Sequence, residues 1–248
     1  MHSSTANFRP ASVGVVLVLL VAVAWLLRPL ETRLAAAGDS AGWRAARLDG
    51  LAGSGGLLGV LGGMRAMVAG GFWLKANLAW EHQDAAATTA LIELTVAADE
   101  RPLYFWLNGA RMIAYDLPEW LPPGPVPAAV RERNNAALAQ RALDFLERGL
   151  RWHGPDAAIY IEMGNIHLRR TGDLPQAARC YRLAAEQPGA PYYAARIHGE
   201  LLRATGRTAE ALAWLRQVLP GLPANDPAAG RDLVLARIQA LERELDGR

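Results

Sequence analysis

The sequence predicts an all-α protein: an N-terminal transmembrane helix, then a stack of about four helix pairs closed by a C-terminal capping helix. Three observations carry this. Residues 11–27, ASVGVVLVLLVAVAWLL, are 17 uncharged residues between Pro10 and Arg28. Glycine, alanine and proline recur in matched register between 164 and 223. The last block, 227–247, sets Val234, Ile238, Leu241 and Leu245 on one helical face, with Arg231, Arg237, Glu242 and Arg243 on others. That amphipathic pattern suits a terminal helix covering an apolar edge. The predicted organisation is 1–28 as tail and anchor, 29–70 as linker and glycine-rich membrane-proximal segment, 71–227 as helical repeats and 228–248 as cap.

The first element is read as a single-span anchor, because crossing a bilayer takes roughly 17 to 25 apolar residues. Trp25 and Arg28 close the run as an interfacial pair, the arginine snorkelling to the headgroups. The rival is a cleavable signal peptide, but Ala22-Val23-Ala24 lies inside the run and Ala35-Ala36-Ala37 follows only after Arg28, Glu31 and Arg33. No cysteine follows the run closely enough for a lipoprotein anchor. Arginine counting places the bulk of the chain in the cytoplasm. A short N-terminal tail before a large domain favours the opposite topology, a bacterial inner-membrane protein with its repeats in the periplasm. Residues 51–73, LAGSGGLLGVLGGMRAMVAGGFW, carry one charge, Arg65. They are read as a glycine-rich lead into the first packed helices, with an interfacial segment as the alternative.

Composition narrows the chemistry. Beyond Arg28 the chain holds 24 basic and 24 acidic residues, interspersed, which argues against a phosphate-tracking stripe and hence against nucleic acid. The single cysteine, Cys180, sits among Ala177, Ala178, Tyr181 and Ala184 and reads as a buried small hydrophobe. His2, His82, His153, His167 and His198 show no paired spacing, so no metal site is expected. No nucleophile elbow, phosphate loop or framed acid pair occurs, and the chain is expected to be non-enzymatic and without cofactor.

The repeats come next. Gly164, Gly172, Ala177, Tyr181, Ala184 and Pro188 align with Gly199, Gly206, Ala211, Leu215, Val218 and Pro223, at intervals of 8, 5, 4, 3, 4 and 7, 5, 4, 3, 5. Each copy reads as helix, turn, helix. Gly164 and Ala177 let two helices cross closely, Gly172 ends the first helix and Pro188 follows the second. Upstream, PLYFWLNGARMIAY supplies a first helix around Gly109 and RALDFLERGL a second with Ala142, Leu146 and Gly149. Eleven residues with five prolines, 117–127, separate them. Before that, Ala90, Leu94, Ala97 and Pro102 fit the second half of another copy whose first helix has Leu78 where a small residue is expected.

These residues resemble the tetratricopeptide repeat, a helix–turn–helix unit of about 34 residues. The resemblance spans 71–223 and is strongest over 157–223. The copy from Ala157 departs by one extra residue before Ala177, and the copy from Tyr192 has Leu215 where the family has an aromatic. The stretch GGMRAMVAGGFWLKANLAW also resembles the opening of membrane-anchored bacterial repeat proteins. In such a fold the first helices line a concave groove. The resemblance implies a groove formed by Leu103, Trp106 and Ile113, then Ile161, Asn165, Leu168 and Arg169, then Tyr193, Arg196, Glu200 and Arg203. That groove is apolar at one end and basic at the other. It suits a protein segment with an apolar anchor followed by acidic groups or a terminal carboxylate. The alternative is that the arginines pair with Glu162 and Glu200 on a solvated face. Trp120, in the proline turn, is either an exposed binding lip or a ring folded back on the helices. The expected function is a membrane-anchored scaffold that binds a protein or peptide partner in assembly of an envelope complex. The alternative is an obligate structural subunit of a larger membrane complex.

Overall fold

Nine α-helices follow one another in a computed structural model that describes residues 65–120 and 126–247. They are α1 (Arg65–Glu81), α2 (Ala85–Ala98), α3 (Leu103–Arg111), α4 (Ala128–His153), α5 (Ala157–Ile166), α6 (Leu174–Ala185), α7 (Tyr192–Ala204), α8 (Thr208–Val218) and α9 (Arg231–Asp246). Among the described residues there is no strand, so the fold is all-helical. The predicted anchor at 1–28 and the linker up to residue 64 lie outside the described residues. No described helix is long and apolar enough to cross a membrane. The expected start of the repeats at 71 falls inside α1, which begins at Arg65.

Three of the helices start where an aspartate satisfies open N–H groups. Asp84, Asp156 and Asp173 cap α2, α5 and α6, accepting from Ala87 N at 2.9 Å, Ala158 N at 2.8 Å and Gln176 N at 3.0 Å. Such caps contribute about 0.5–2 kcal/mol each. Gly172 and Gly206 hold φ of 69° and 78°, a left-handed turn that stops α5 and α7 where the sequence predicts. Each helix then packs chiefly on its neighbours in the chain, from α1 on α2 to α8 on α9.

The crossings follow the predicted residues in the C-terminal half. Ala177, Tyr181 and Ala184 are buried, as are Ala211 and Leu215, while Val218 is only partly covered. A Cβ added at Gly164 would stand 2.9 Å from the Tyr181 ring, and one at Gly199 would stand 3.0 Å from Leu215, so no side chain fits between these helices. The extra residue in the copy from Ala157 is absorbed by widening the end of α5 into a π-helical turn, His167–Thr171. Such turns take in one residue without breaking the helix. A second π turn, Met112–Asp116, extends α3.

The first pair corrects the sequence register. Leu78 is 54% exposed, Ala97 is exposed and Leu94 is only half-buried. The crossing is instead made by Ala76, Thr88, Ile92 and Thr95, all at 0% exposure. Thr88 follows Ala76 by the same 12 positions that separate Gly199 from Ala211. The two threonines are buried differently: Thr95 donates to Leu91 O at 2.7 Å, whereas the Thr88 hydroxyl has no hydrogen-bond partner. The second helix of the next pair, α4, is also longer than 141–150, starting at Ala128 directly after the proline turn.

Candidate functional site

The apolar end of the predicted groove is core. Trp106 is 2% exposed, stacks on Phe145 at 4.8 Å and donates its indole N–H to Glu100 O at 2.8 Å. Ile113 and Ile161 are buried too, and Leu103 and Leu168 are half-covered by the same packing. The physical reason is aromatic size: the Trp106 ring fills the space left beside Gly149, 3.2 Å from where a Cβ would stand. Trp120 is partly buried, with its ring centre 6.4 Å from that of Trp80, and so folds back on the helices.

At the C-terminal end the predicted groove residues divide. Arg196 donates to Ala229 O at 2.9 Å, and Glu200 pairs with Arg237 of α9 and with Arg203 at 3.5 Å. Arg196 and Glu200 therefore fasten the capping segment to α7, beside an apolar cleft of about 490 Å³ that also includes Leu233 and Ala236. Tyr193 remains 41% exposed, and Arg203 stays on the surface.

Asn165 and Arg169 meet in a different place, a polar cleft of about 340 Å³ between the end of α3 and α5, with Arg111, Tyr115, Asp116 and Glu162. The two π turns supply Tyr115, Asp116 and Arg169 to it. Glu162, 3% exposed at its side chain, accepts from Arg111 Nε at 2.8 Å, so its charge is matched across the two helices. Asp116 accepts from the Trp80 indole N–H at 2.7 Å. Asn165 Oδ1 accepts from the Tyr181 hydroxyl at 2.7 Å, which fixes the amide and leaves its NH₂ as a donor.

Donors are left over around this cleft. The Tyr115 hydroxyl is buried with no hydrogen-bond partner. Burial pushes its pKa up to about 12 while Arg169 and Arg170 pull the other way, so it stays protonated and able to donate. Next along the π turn, Arg170 keeps a side chain only 17% exposed, and its Nε and Nη2 are buried without partners. Glu119, its nearest carboxylate, stands 3.9 Å away. Unsatisfied buried donors of this kind cost about 1–3 kcal/mol each unless something accepts from them. The two acids and two arginines lining the cleft balance, and so do Arg170 and Glu119 beside it.

Sequence reasoning missed Arg111, Tyr115 and Asp116. Arg111 and Glu162 are 51 residues apart, a separation with no local signature. Two single residues elsewhere are packed as the sequence suggests. Cys180 is buried, and burial pushes its thiol up to about 11. His198 is buried against Trp214 and bonds Ala178 O at 2.7 Å. Among the described residues no three His, Cys, Asp or Glu side chains gather as a metal site. No protein-family model matches this chain, and no curated protein matches it.

Proposed function

We propose that this chain is a non-enzymatic scaffold of the tetratricopeptide type, tethered to a bacterial inner membrane by residues 1–28 with its helices on the periplasmic side. Its partner is a protein segment bearing carboxylates, held at the cleft between α3 and α5. The observation that carries this reading is the surplus of donors in its lining, Tyr115 Oη and the Asn165 amide, beside an exposed Arg169 and next to the unpartnered Arg170 Nε and Nη2. Two π turns facing one another support it further, since such turns recur at functional sites. The helix pairs packed in chain order and the glycine crossings at Gly164 and Gly199 support the repeat assignment.

The test is capture by the full chain in detergent, using acidic peptides against the same peptides with Glu replaced by Gln and the C-terminus amidated. Arg169→Glu should weaken capture of the acidic peptides by roughly tenfold or more, the equivalent of one charge-assisted hydrogen bond. Arg203→Glu, near the capping helix, should leave capture unchanged. Indifference to Arg169→Glu and to the carboxylates, in protein of unaltered helix content, sinks the proposal. Trp106 is not a probe of binding, because truncating it removes core.

A further inference from the structure

Helix α1 is apolar on both sides and covered on one. Ala69, Phe72, Trp73 and Ala76 are buried, with Trp73 5.3 Å from Phe105 and 5.5 Å from Tyr104 by ring centres. On the other side Met67, Leu74 and Leu78 stand 52%, 72% and 54% exposed. With the exposed Gly71 they form a stripe at spacings of 4, 3 and 4, one continuous helical face. Among the described residues nothing stands within 4 Å of where a Cβ would sit at Gly70 or Gly71.

The face carries one charge, Glu81, three residues beyond Leu78 at its C-terminal end. Arg65, at the start of α1, turns away to Glu100 at 2.9 Å and Ala98 O. Lys75 follows Leu74 directly, in the place where a long cationic stem reaches from an apolar face to headgroups. Chain order points the same way: residues 51–64, which lead into α1, contain no charge at all.

We propose that the outer face of α1 lies on the lipid bilayer, with Met67, Leu74 and Leu78 dipping into the boundary between headgroups and acyl chains. This rests on the membrane tether proposed above. A second copy is the poorer occupant, because the stripe exposes on the order of 400 Å², about half of the ~800 Å² per partner that stable protein interfaces bury. A lipid surface sets no such minimum, and interfacial helices dip only one apolar face into it.

The experiment uses the full chain reconstituted into phosphatidylcholine vesicles, with Leu74→Cys, Leu78→Cys or, as control, the exposed Ala209→Cys carrying an environment-sensitive dye. Native Cys180 is buried with its thiol pushed up to about 11, so it reacts poorly. Dye at 74 and 78 should shift to the blue and lose intensity to lipid-borne quenchers, while dye at 209 should do neither. If all three dyes report water, or if Leu74→Cys crosslinks to a second copy or to a co-purifying protein in place of quenching, the proposal is wrong. Vesicle flotation separates the two readings. A chain that does not float removes the tether, whereas one that floats with dye at 74 and 78 in water removes only the lipid-facing α1.

Discussion

The pair α1–α2 and the pair α5–α6 build the same crossing from different residues. In α5–α6 the close approach is made by Gly164 against Tyr181 and Cys180, with Ala177 and Ala184 buried on the same helix and the tyrosine hydroxyl tied to Asn165. In α1–α2 the fully buried residues are Ala76, Thr88, Ile92 and Thr95, with Ile92 also lying against Gly109 of α3. A helix crossing needs a small residue facing a large one at a spacing of four and three; it does not need glycine or tyrosine. The pairs also differ outside. Asp173 and Arg169 give α5–α6 a polar outer surface, whereas α1 leaves Met67, Leu74 and Leu78 uncovered.

The largest expected effect tests whether Ile92 stands where Tyr181 stands. Ile92→Ala should destabilise by about 2–5 kcal/mol, the range for truncating a fully buried branched side chain. Leu78→Ala should change stability by no more than about 0.5 kcal/mol, as surface substitutions do. Denaturant melts of the two variants decide it: the reverse ranking would restore the register in which Leu78 faces the crossing.

The next effect is overpacking. Ala76→Leu and Ala177→Leu place extra carbons at crossings with no exposed surface, and each should cost about 1–3 kcal/mol. Ala97→Leu, at a position that the sequence puts at a crossing and the fold puts in solvent, should cost little. Similar losses at Ala97 and Ala76 would show that the exposed side of α2 is packed.

Those substitutions also mark where the sequence was legible. The pairs α5–α6 and α7–α8 could be read because Gly164, Ala177, Gly199 and Ala211 are the small residues that close helix contact commonly uses. The first pair slid by two positions because Thr88 and Thr95 look polar in a sequence and yet are fully buried, Thr95 by bonding back to its own helix. Asn165 and Arg169, named in the sequence from the repeat resemblance, line the polar cleft together, four residues apart on one helical face. Tyr115 and Asp116 were missed because they enter the cleft through a π turn, which shifts everything after it off the 3.6-residue period. Trp106 was placed in the groove by the same period, although its size decides for the core.

The smallest effect is the sharpest contrast, because the same substitution should carry opposite signs in the two pairs. Replacing glycine by alanine inside a helix gains about 0.5–1 kcal/mol when nothing stands in the way. At Gly71 nothing lies within 4 Å of the new Cβ, so Gly71→Ala should stabilise by about that amount. At Gly164 the new Cβ would meet Tyr181 Cδ2 and Cε2 at 2.9 Å, and the ring cannot swing aside without breaking its 2.7 Å bond to Asn165. Overpacking there, about 1–3 kcal/mol, exceeds the propensity gain, so Gly164→Ala should destabilise. Thermal melts of the two single variants and of the double variant measure the difference, and the effects should add because the sites share no partner. A stabilised Gly164→Ala protein would mean that α5 and α6 are farther apart in solution than the 2.9 Å approach requires.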